Sequence, residues 1–530
     1  MKSPIDVLRS FPPHGGTLHE AFSSRCQNRQ DDTFIIQSEV SLTWRQFRER
    51  YDRLARVLKG RGIGPGDRVA VVGRNDISHL LALFALARLG ATMVPVNPDY
   101  SIRELTYALN HADVKAIIAQ AELLKPIEQA TQAMAQKPWA LLWGQKSPDD
   151  ASLEQAIDNA PDIVLGENGS ASDTCVIIYT SGTTGYPKGV MHSQRNFLLA
   201  GEANVARLHM QPDDRVMIIL PFFHINALFY SVGGVLAAGA SMIIEPRFSA
   251  TRFWDTAAEH GATIVNIIEA IGTILCARSR SEFRSDHQLR VVYGVRKKAA
   301  DVFREQFGID DLFSGFGMTE IPGVTCNPYG QPNKPGSMGI IGTHPDPAMQ
   351  WAQCRVVNDD GCDVETNQVG ELWVKSPIVM QGYFRDPDQT QQAFHDGWLK
   401  TGDLVRRDAD GFYFHVSRKK DIIRRRGENI AAAELEMVIG EHPKVFQVAA
   451  LGVPSDMGED DIFVAVVARP GEVLSESDVA AWCADRLAAI KMPRYVALLD
   501  ALPLTPTHKI AKAVLRDDAQ IRARAVDLQG

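Results

Sequence analysis

One strand–helix–strand run near the start of the chain limits its fold more than any other feature. Phe47, Tyr51, Leu54 and Leu58 recur at helical spacing, Val69–Val72 is a short apolar strand, and Ser78–Leu89 is an apolar helix closed by Gly90. Thr92–Val96 is then a second strand. Two short apolar strands joined through a helix are the unit of a parallel sheet covered by helices. The alternation of helix-like and strand-like segments continues through about four-fifths of the sequence, so the expected class is α/β. No internal repeat of about 20–50 residues is visible.

Near residue 415 the texture changes. The run VSRKKDIIRRRGENI is dense in charge and ends in a glycine turn. Beyond it come a helix at Ala432–Glu441, strands at Val445–Val453 and Ile462–Val467, a helix at Ser477–Ile490, and a Pro/Thr-rich loop before the last helix. These segments suffice for a small mobile α+β domain of roughly 110 residues. The expected division is a large domain over 1–418 and a small lid over 419–530, with a hinge at the charged seam.

Composition excludes several classes. The 530 residues are 45% hydrophobic and 23% charged, with a net charge of −8, the profile of a globular protein of two or more domains. No long block of like charge marks a nucleic-acid partner, and Arg424-Arg425-Arg426 is too short to be one. Seven scattered cysteines form no CxxC pair and read as reduced thiols in a cytoplasmic protein. The opening MKSPIDVLRSFPP has charges and prolines where a signal peptide needs an apolar run. Val216–Ile244 lacks Asp, Glu, Lys and Arg, but Pro221, His224, Asn226 and three glycines break it. It reads as strand, polar-tipped loop, helix and strand, not as a membrane span. A homodimer is compatible with this composition.

The segment richest in chemistry is YTSGTTGYPKG, Tyr179–Gly189, directly after the apolar strand Cys175–Ile178. Glycines alternate with the hydroxyls of Thr180, Ser181, Thr183 and Thr184, so backbone N–H groups can turn inward around an anion, and Lys188 adds positive charge. A solvated linker would need neither the preceding strand nor the Pro-Lys-Gly ending. Pro187 before the lysine rules out a Walker loop.

This motif resembles the phosphate-loop signature of the adenylate-forming superfamily: acyl-CoA synthetases, peptide-synthetase adenylation domains and luciferases. The likeness covers nearly the whole chain, in the family's motif order, and its details look most like the carnitine and crotonobetaine CoA ligases. It implies ATP, Mg2+ and coenzyme A as cofactors, with ATP held by Thr180, Ser181, Gly182, Thr183, Thr184, Gly185 and Lys188. GFGMTE resembles the family's aromatic-Gly-x-Thr-Glu segment, which implies that Gly315, Phe316, Gly317 and Met318 flank the adenine, with Phe316 on its face. Thr319 then lies near the α-phosphate, and Glu320, with Thr180, is on the Mg2+. Without the family, a core phenylalanine followed by a helix-capping Thr-Glu explains the same residues.

In WLKTGDL, the resemblance puts Asp403 on the ribose hydroxyls, with Arg418 as second contact and Lys420 as hinge; Ser417 stands where the family has glycine. RRRGENI resembles the loop that borders the pantetheine tunnel, which implicates Arg424, Gly427, Glu428 and Asn429; a solvated basic turn is the plain alternative. PLTPTHKIAK resembles the motif whose lysine drives adenylation, here Lys509, with Lys512 as a rival and His508 in place of the usual glycine.

Phe223, His224 and Asn226 occupy the acyl-pocket position of the family. Gly294 falls in the turn Tyr293–Arg296, whose bulk argues against long fatty acids. Glu269 lies in the apolar run Thr263–Leu275, where a buried carboxylate needs a partner, a cationic substrate or a structural Arg or Lys. The implied activity is ATP-dependent acid–thiol ligation: acyl-AMP formation, then transfer to coenzyme A. A carrier-protein phosphopantetheine as acceptor, a degenerate nucleotide-binding protein and a luciferase-type oxygenation are the alternatives left open.

Overall fold

The computed structural model describes residues 1–144, 151–166, 169–180, 187–295, 297–332, 334–425, 428–455, 459–504 and 510–528. By contacts the chain divides into two units, Met1–Gln353 with Val374–Leu399, and Cys354–Trp373 with Lys400–Gly530.

The first unit contains two seven-stranded sheets, each mostly parallel as the sequence pattern requires. In one, the order is Gly382–Tyr383, Lys188–Ser193, Thr174–Thr180, Thr92–Val96, Arg68–Val72, Ala116–Gln120 and Trp139–Trp143. Its strands pair in parallel from Thr174–Thr180 onward; the other two form an antiparallel edge. Thr92–Val96 is buried at every position, which is why the strand reads as a continuous apolar run. In the other sheet the order is Asp311–Phe313, Val291–Tyr293, Ile264–Asn266, Arg215–Ile218, Ser241–Ile244, Thr33–Gln37 and Val40–Thr43. Only its last pair is antiparallel.

Helix Trp44–Gly60 starts at a capping box in which Thr43 and Gln46 exchange side-chain and backbone hydrogen bonds. Its Trp44, Phe47 and Tyr51 join Phe22, Phe34 and Phe84 in one buried aromatic cluster. Within Val216–Ile244 the structure has the expected strand, helix and strand, with one addition. Asn226–Val232 is a π-helix that runs directly into the α-helix Gly233–Ala238. Gly201 of the neighbouring helix is there for close packing: a Cβ on it would lie 2.2 Å from the Gly233 carbonyl oxygen.

The strand Trp398–Arg407, which enters the second unit at Lys400, forms an antiparallel hairpin with Tyr413–Arg418. The C-terminal part is a four-stranded sheet in the order Val445–Pro454, Asp460–Ala468, Tyr495–Leu498 and Val526–Asp527. Ile423, Leu435, Ile439, Val464 and Val496 pack in one apolar cluster, and Leu451, Phe463, Ala497 and Leu515 in another. The helix expected over Ser477–Ile490 is shorter. It ends at Ala484, and a 3-10 turn follows at Ala489–Lys491. The Arg425 guanidinium donates to the carbonyls of Ile490 and Met492, which engages that stretch in a tertiary contact.

All seven cysteines are unpaired; Cys362 is exposed, in the turn that follows Gln353–Val357. Among the described residues no helix is long and apolar enough to cross a membrane.

Candidate active site

The site of the first unit is built around one hairpin edge. Strands Thr174–Thr180 and Lys188–Ser193 are antiparallel, with Thr180 opposite Lys188. Ser181, Gly182, Thr183, Thr184 and Gly185 connect these two adjacent ends and lie outside the described residues. On the far edge of Lys188–Ser193, Tyr383 pairs with Val190, and the Lys188 ammonium sits 4.7 Å from the centroid of the Tyr383 ring.

Glu320 arrives from another element. Gly315–Met318 and Ile321–Cys326 are antiparallel with Met318 opposite Ile321, so Thr319 and Glu320 are the two residues of a tight hairpin turn, not a helix cap. Each carbonyl of the turn is tied down. The Thr319 carbonyl accepts from His192 Nε2 at 2.7 Å, and the Glu320 carbonyl accepts from the Met380 N–H at 2.8 Å. The Glu320 side chain is only 9% exposed, and its Oε1 accepts from the Tyr383 hydroxyl at 2.8 Å. Burial and the adjacent Glu320 carboxylate both push the Tyr383 phenol pKa up, so the hydroxyl stays protonated and keeps donating.

His192 was not read from the sequence as a site residue, nor was Tyr383. His192 is fully buried, and Asn196 Nδ2 donates to its Nδ1 at 3.2 Å and to the Val379 carbonyl at 2.8 Å. This network assigns a neutral imidazole with the proton on Nε2, and burial lowers its pKa to about 4.

The strand Gly315–Met318 needs its two glycines for close approach. A Cβ on Gly315 would meet the Thr325 carbonyl oxygen at 2.3 Å, and one on Gly317 would meet the Tyr230 hydroxyl at 2.3 Å. Phe316 between them is buried, Gly317 is exposed, and Met318 and Thr319 are half-buried.

The acyl-pocket candidates Phe223, His224 and Asn226 are half-buried. The Phe223 and His224 rings lie 4.7 Å apart, and Asn226 begins the π-helix and accepts from Asn266 Nδ2 at 3.1 Å. Gly294 has φ +100°, and a Cβ there would fall 2.0 Å from the Ile267 carbonyl oxygen. Glu269 differs from expectation. It is exposed, at the first position of helix Glu269–Ala277, so no burial forces a cationic partner on it.

In the second unit, Asp403 and Arg418 face each other across the hairpin. Asp403 is 1% exposed; its Oδ1 takes Arg418 Nε at 2.7 Å and His415 Nε2 at 3.1 Å, while its buried Oδ2 has no hydrogen-bond partner. Thr401 fixes the carboxylate's backbone by accepting from the Asp403 N–H and donating to the Leu372 carbonyl. A buried carboxylate whose Oδ1 is engaged by two donors, with Oδ2 still open, suits a hydroxyl of a bound ligand.

The next residues differ in exposure and partners. Lys419 is paired with Asp359 and Glu371; the side chains of Lys420 and Asn429 lie outside the described residues, as does Gly427. Ile422–Arg425 and Glu428–Ala431 form a hairpin on which Arg424 and Glu428 are exposed. Arg425 is buried against Asp461 and two carbonyls, a structural role. Lys509 falls outside the described residues; of its neighbours, Leu504 and Ile510 form an isolated antiparallel bridge. Its rival Lys512 is committed to an ion pair with Glu436 at 2.7 Å.

Comparison with known proteins agrees with these motifs. The model of the AMP-binding enzyme family matches residues 22–384, and that of the AMP-binding enzyme C-terminal domain matches 434–509. An oxalate–CoA ligase of Arabidopsis thaliana is 30% identical, over 91% of this chain and 94% of its own length. A crotonobetaine/carnitine–CoA ligase of Salmonella paratyphi B is 27% identical, over 92% and 96%. The crystal structure of ATP-bound MatB from Rhodopseudomonas palustris superposes with a TM-score of 0.85 at 27% identity, covering 94% of this chain and 98% of that one. Motif order, fold and both family matches converge: the chain belongs to the AMP-binding enzyme family of AMP-forming acyl-CoA synthetases.

Proposed function

We propose that the chain activates a carboxylic acid with ATP, forming acyl-AMP and pyrophosphate, and then passes the acyl group to coenzyme A with release of AMP. The observation that carries this reading is Glu320, oriented by the Tyr383 hydroxyl beside the strand that Lys188 opens. In this reading the amides and hydroxyls from Thr180 to Lys188 cradle the polyphosphate, Phe316 packs on adenine, and Asp403 with Arg418 takes the ribose hydroxyls. The open Oδ2 of Asp403 supports the last assignment.

Glu320, with one oxygen engaged by Tyr383 and the other an oxygen donor, fits a hard cation, and Glu320 with Thr180 would hold Mg2+. Bound there, Mg2+ would supply neutralisation of phosphate charge. The protein's own work is positional. Lys188 adds positive charge at the loop, and Lys509 stabilises charge between the attacking carboxylate and the α-phosphate. The mixed anhydride hydrolyses readily, so it is kept bound rather than released. The small domain over 419–530 then turns about Lys420, withdraws Lys509 and presents the Arg424–Asn429 hairpin, whose Glu428 and Asn429 border the thiol path. The thiol sulfur attacks the acyl carbon and gives up its proton to solvent, and AMP leaves with the electron pair of the bond between the acyl carbon and the phosphate oxygen. The cellular setting is the cytoplasm, in keeping with seven unpaired thiols.

The assignment has a direct test. Lys509→Ala should abolish acid-dependent pyrophosphate exchange yet still convert supplied acyl-AMP to thioester; loss of both half-reactions, or of neither, contradicts it. Comparing free coenzyme A with a phosphopantetheinylated carrier protein in the second half-reaction fixes the acceptor.

A further inference from the structure

We propose that Arg207 is the anion-recognition subsite of the acyl pocket, and that the acid this enzyme activates is short and carries a second anionic group on the end remote from the reacting carboxylate. The proposal deepens the adenylation reading and rests on it.

Arg207 stands in the last turn of helix Gln194–Leu208 and is 7% exposed. Among the described residues the other two buried arginines have stronger partners: Arg25 donates to the carbonyls of Leu236 and Ala237, and Arg425 has Asp461 and the carbonyls of Ile490 and Met492. Arg207 has far less. Its one hydrogen bond runs from Nη1 to Asn204 Oδ1 at the long distance of 3.5 Å, and its buried Nε has no acceptor. No carboxylate pairs with it among the described residues. Guanidinium cannot shed its proton at any pH the protein survives, and a cation buried without a counter-charge is costly. The Tyr230 ring, 5.2 Å from Cζ, offsets only part of that cost.

The neighbourhood shows where an anion would come from. Gly323, at φ +84°, makes room for the guanidinium: a Cβ there would fall 2.2 Å from Nη2. Tyr230 belongs to the π-helix that Asn226 opens, and its hydroxyl lies against Gly317, two residues before Thr319. Its ring meets Tyr293 edge-on at 5.8 Å between centroids, and the Tyr293 hydroxyl would be 2.9 Å from a Cβ on Gly315. Two phenols and one guanidinium thus sit behind the elements that carry Asn226, Gly294 and Gly317. An acid whose carboxylate reacts beside Thr319 and Glu320 would send its tail toward them. A terminal carboxylate or sulfonate would find charge and hydrogen-bond donors there; a methyl terminus would leave them unanswered. A quaternary ammonium would meet like charge, and the exposed Glu269 offers it no buried counter-ion.

The test is acid-dependent pyrophosphate exchange with four acids of similar length: butyrate, succinate, 3-sulfopropionate and a betaine. For the natural chain, kcat/KM for succinate or 3-sulfopropionate should exceed that for butyrate by roughly a hundredfold or more, because a site built to pair a polar group rejects an analogue that lacks it. Arg207→Met should reduce that ratio to within about threefold through loss on the dianions while butyrate exchange persists, and Arg207→Lys should restore part of it. Where Arg207→Met yields no folded protein, protection of the natural chain's melting by succinate but not butyrate, with ATP present, decides the same point. Equal or better use of butyrate or the betaine, or an unchanged preference in Arg207→Met, overturns the subsite alone. Absence of exchange with every acid overturns the adenylation reading and the subsite with it.

Discussion

A single phenol sets the orientation of the Glu320 carboxylate, to which the proposed mechanism gives the cation. Tyr383 has one hydroxyl, held protonated by burial and by Glu320 itself, and it donates to one oxygen of that carboxylate. A hydrogen bond to a charged group contributes about 1.5–3 kcal/mol. Tyr383→Phe should therefore lower the rate of pyrophosphate exchange by roughly tenfold and raise the Mg2+ concentration needed for half-maximal rate. A Mg2+ titration identical to that of the natural chain would show that the phenol does not position Glu320. Asp403→Asn should leave the fold in place and weaken ATP binding by about 2 kcal/mol, as calorimetry would report, since the open oxygen loses its charge. The family motifs were legible in the sequence because their spacing along the chain is itself the signal, as the two family matches show. Tyr383 and His192 were not: their roles come from Glu320, 63 residues away, and Thr319, 127 residues away. Glu269 misled because an apolar run was equated with burial, whereas the run crosses from a buried strand into a helix whose first residues are exposed.

At the scale of elements, backbone geometry places the reactive groups. The turn Thr319–Glu320 has no spare residue, and both of its carbonyls are held from outside, by His192 and by Met380. Gly294 is equally constrained. With φ +100° and the Ile267 carbonyl oxygen 2.0 Å from any Cβ, Gly294→Ala forces the backbone of Ile264–Asn266 and Val291–Tyr293 apart. The expected result is a loss of about 2–4 kcal/mol in stability, read by urea titration, together with a higher KM for the acid and little change in KM for ATP. Regular elements were largely legible because their periodicity is local. Arg68–Val72, Ile77–Arg88 and Thr92–Val96 start and end within a residue of the pattern. The helix after Ser475 stops at Ala484, short of the expected Ile490, whose carbonyl is instead taken by a guanidinium from residue 425. The hairpin at Thr319–Glu320 was invisible as a hairpin because its pairing is made by strands whose glycines carry no alternation.

On the scale of the whole molecule, acid sensitivity follows from histidines folded in as neutral bases. Burial lowers the pKa values of His19, His79 and His192 from 6.5 to about 4. The unfolded chain binds those protons below about pH 6.5 while the folded chain refuses them until about pH 4. Stability is thus full above pH 6.5 and declines as the pH falls through that interval, by about 2 kcal/mol for each histidine at pH 5. Urea midpoints measured at pH 7.5 and pH 5 should differ accordingly, and equal midpoints would mean that the three rings are protonated in the fold. The two-unit organisation bears on experiment as well. Of seven thiols only Cys362 is exposed, and it belongs to the second unit, in a tight turn closed by Asn358. One brief maleimide treatment would therefore place a fluorophore or spin label predominantly at a single position without engineering. A change in the surroundings of residues 354–373 between the two half-reactions would then be visible as a signal that changes first with acid and ATP, and again with coenzyme A.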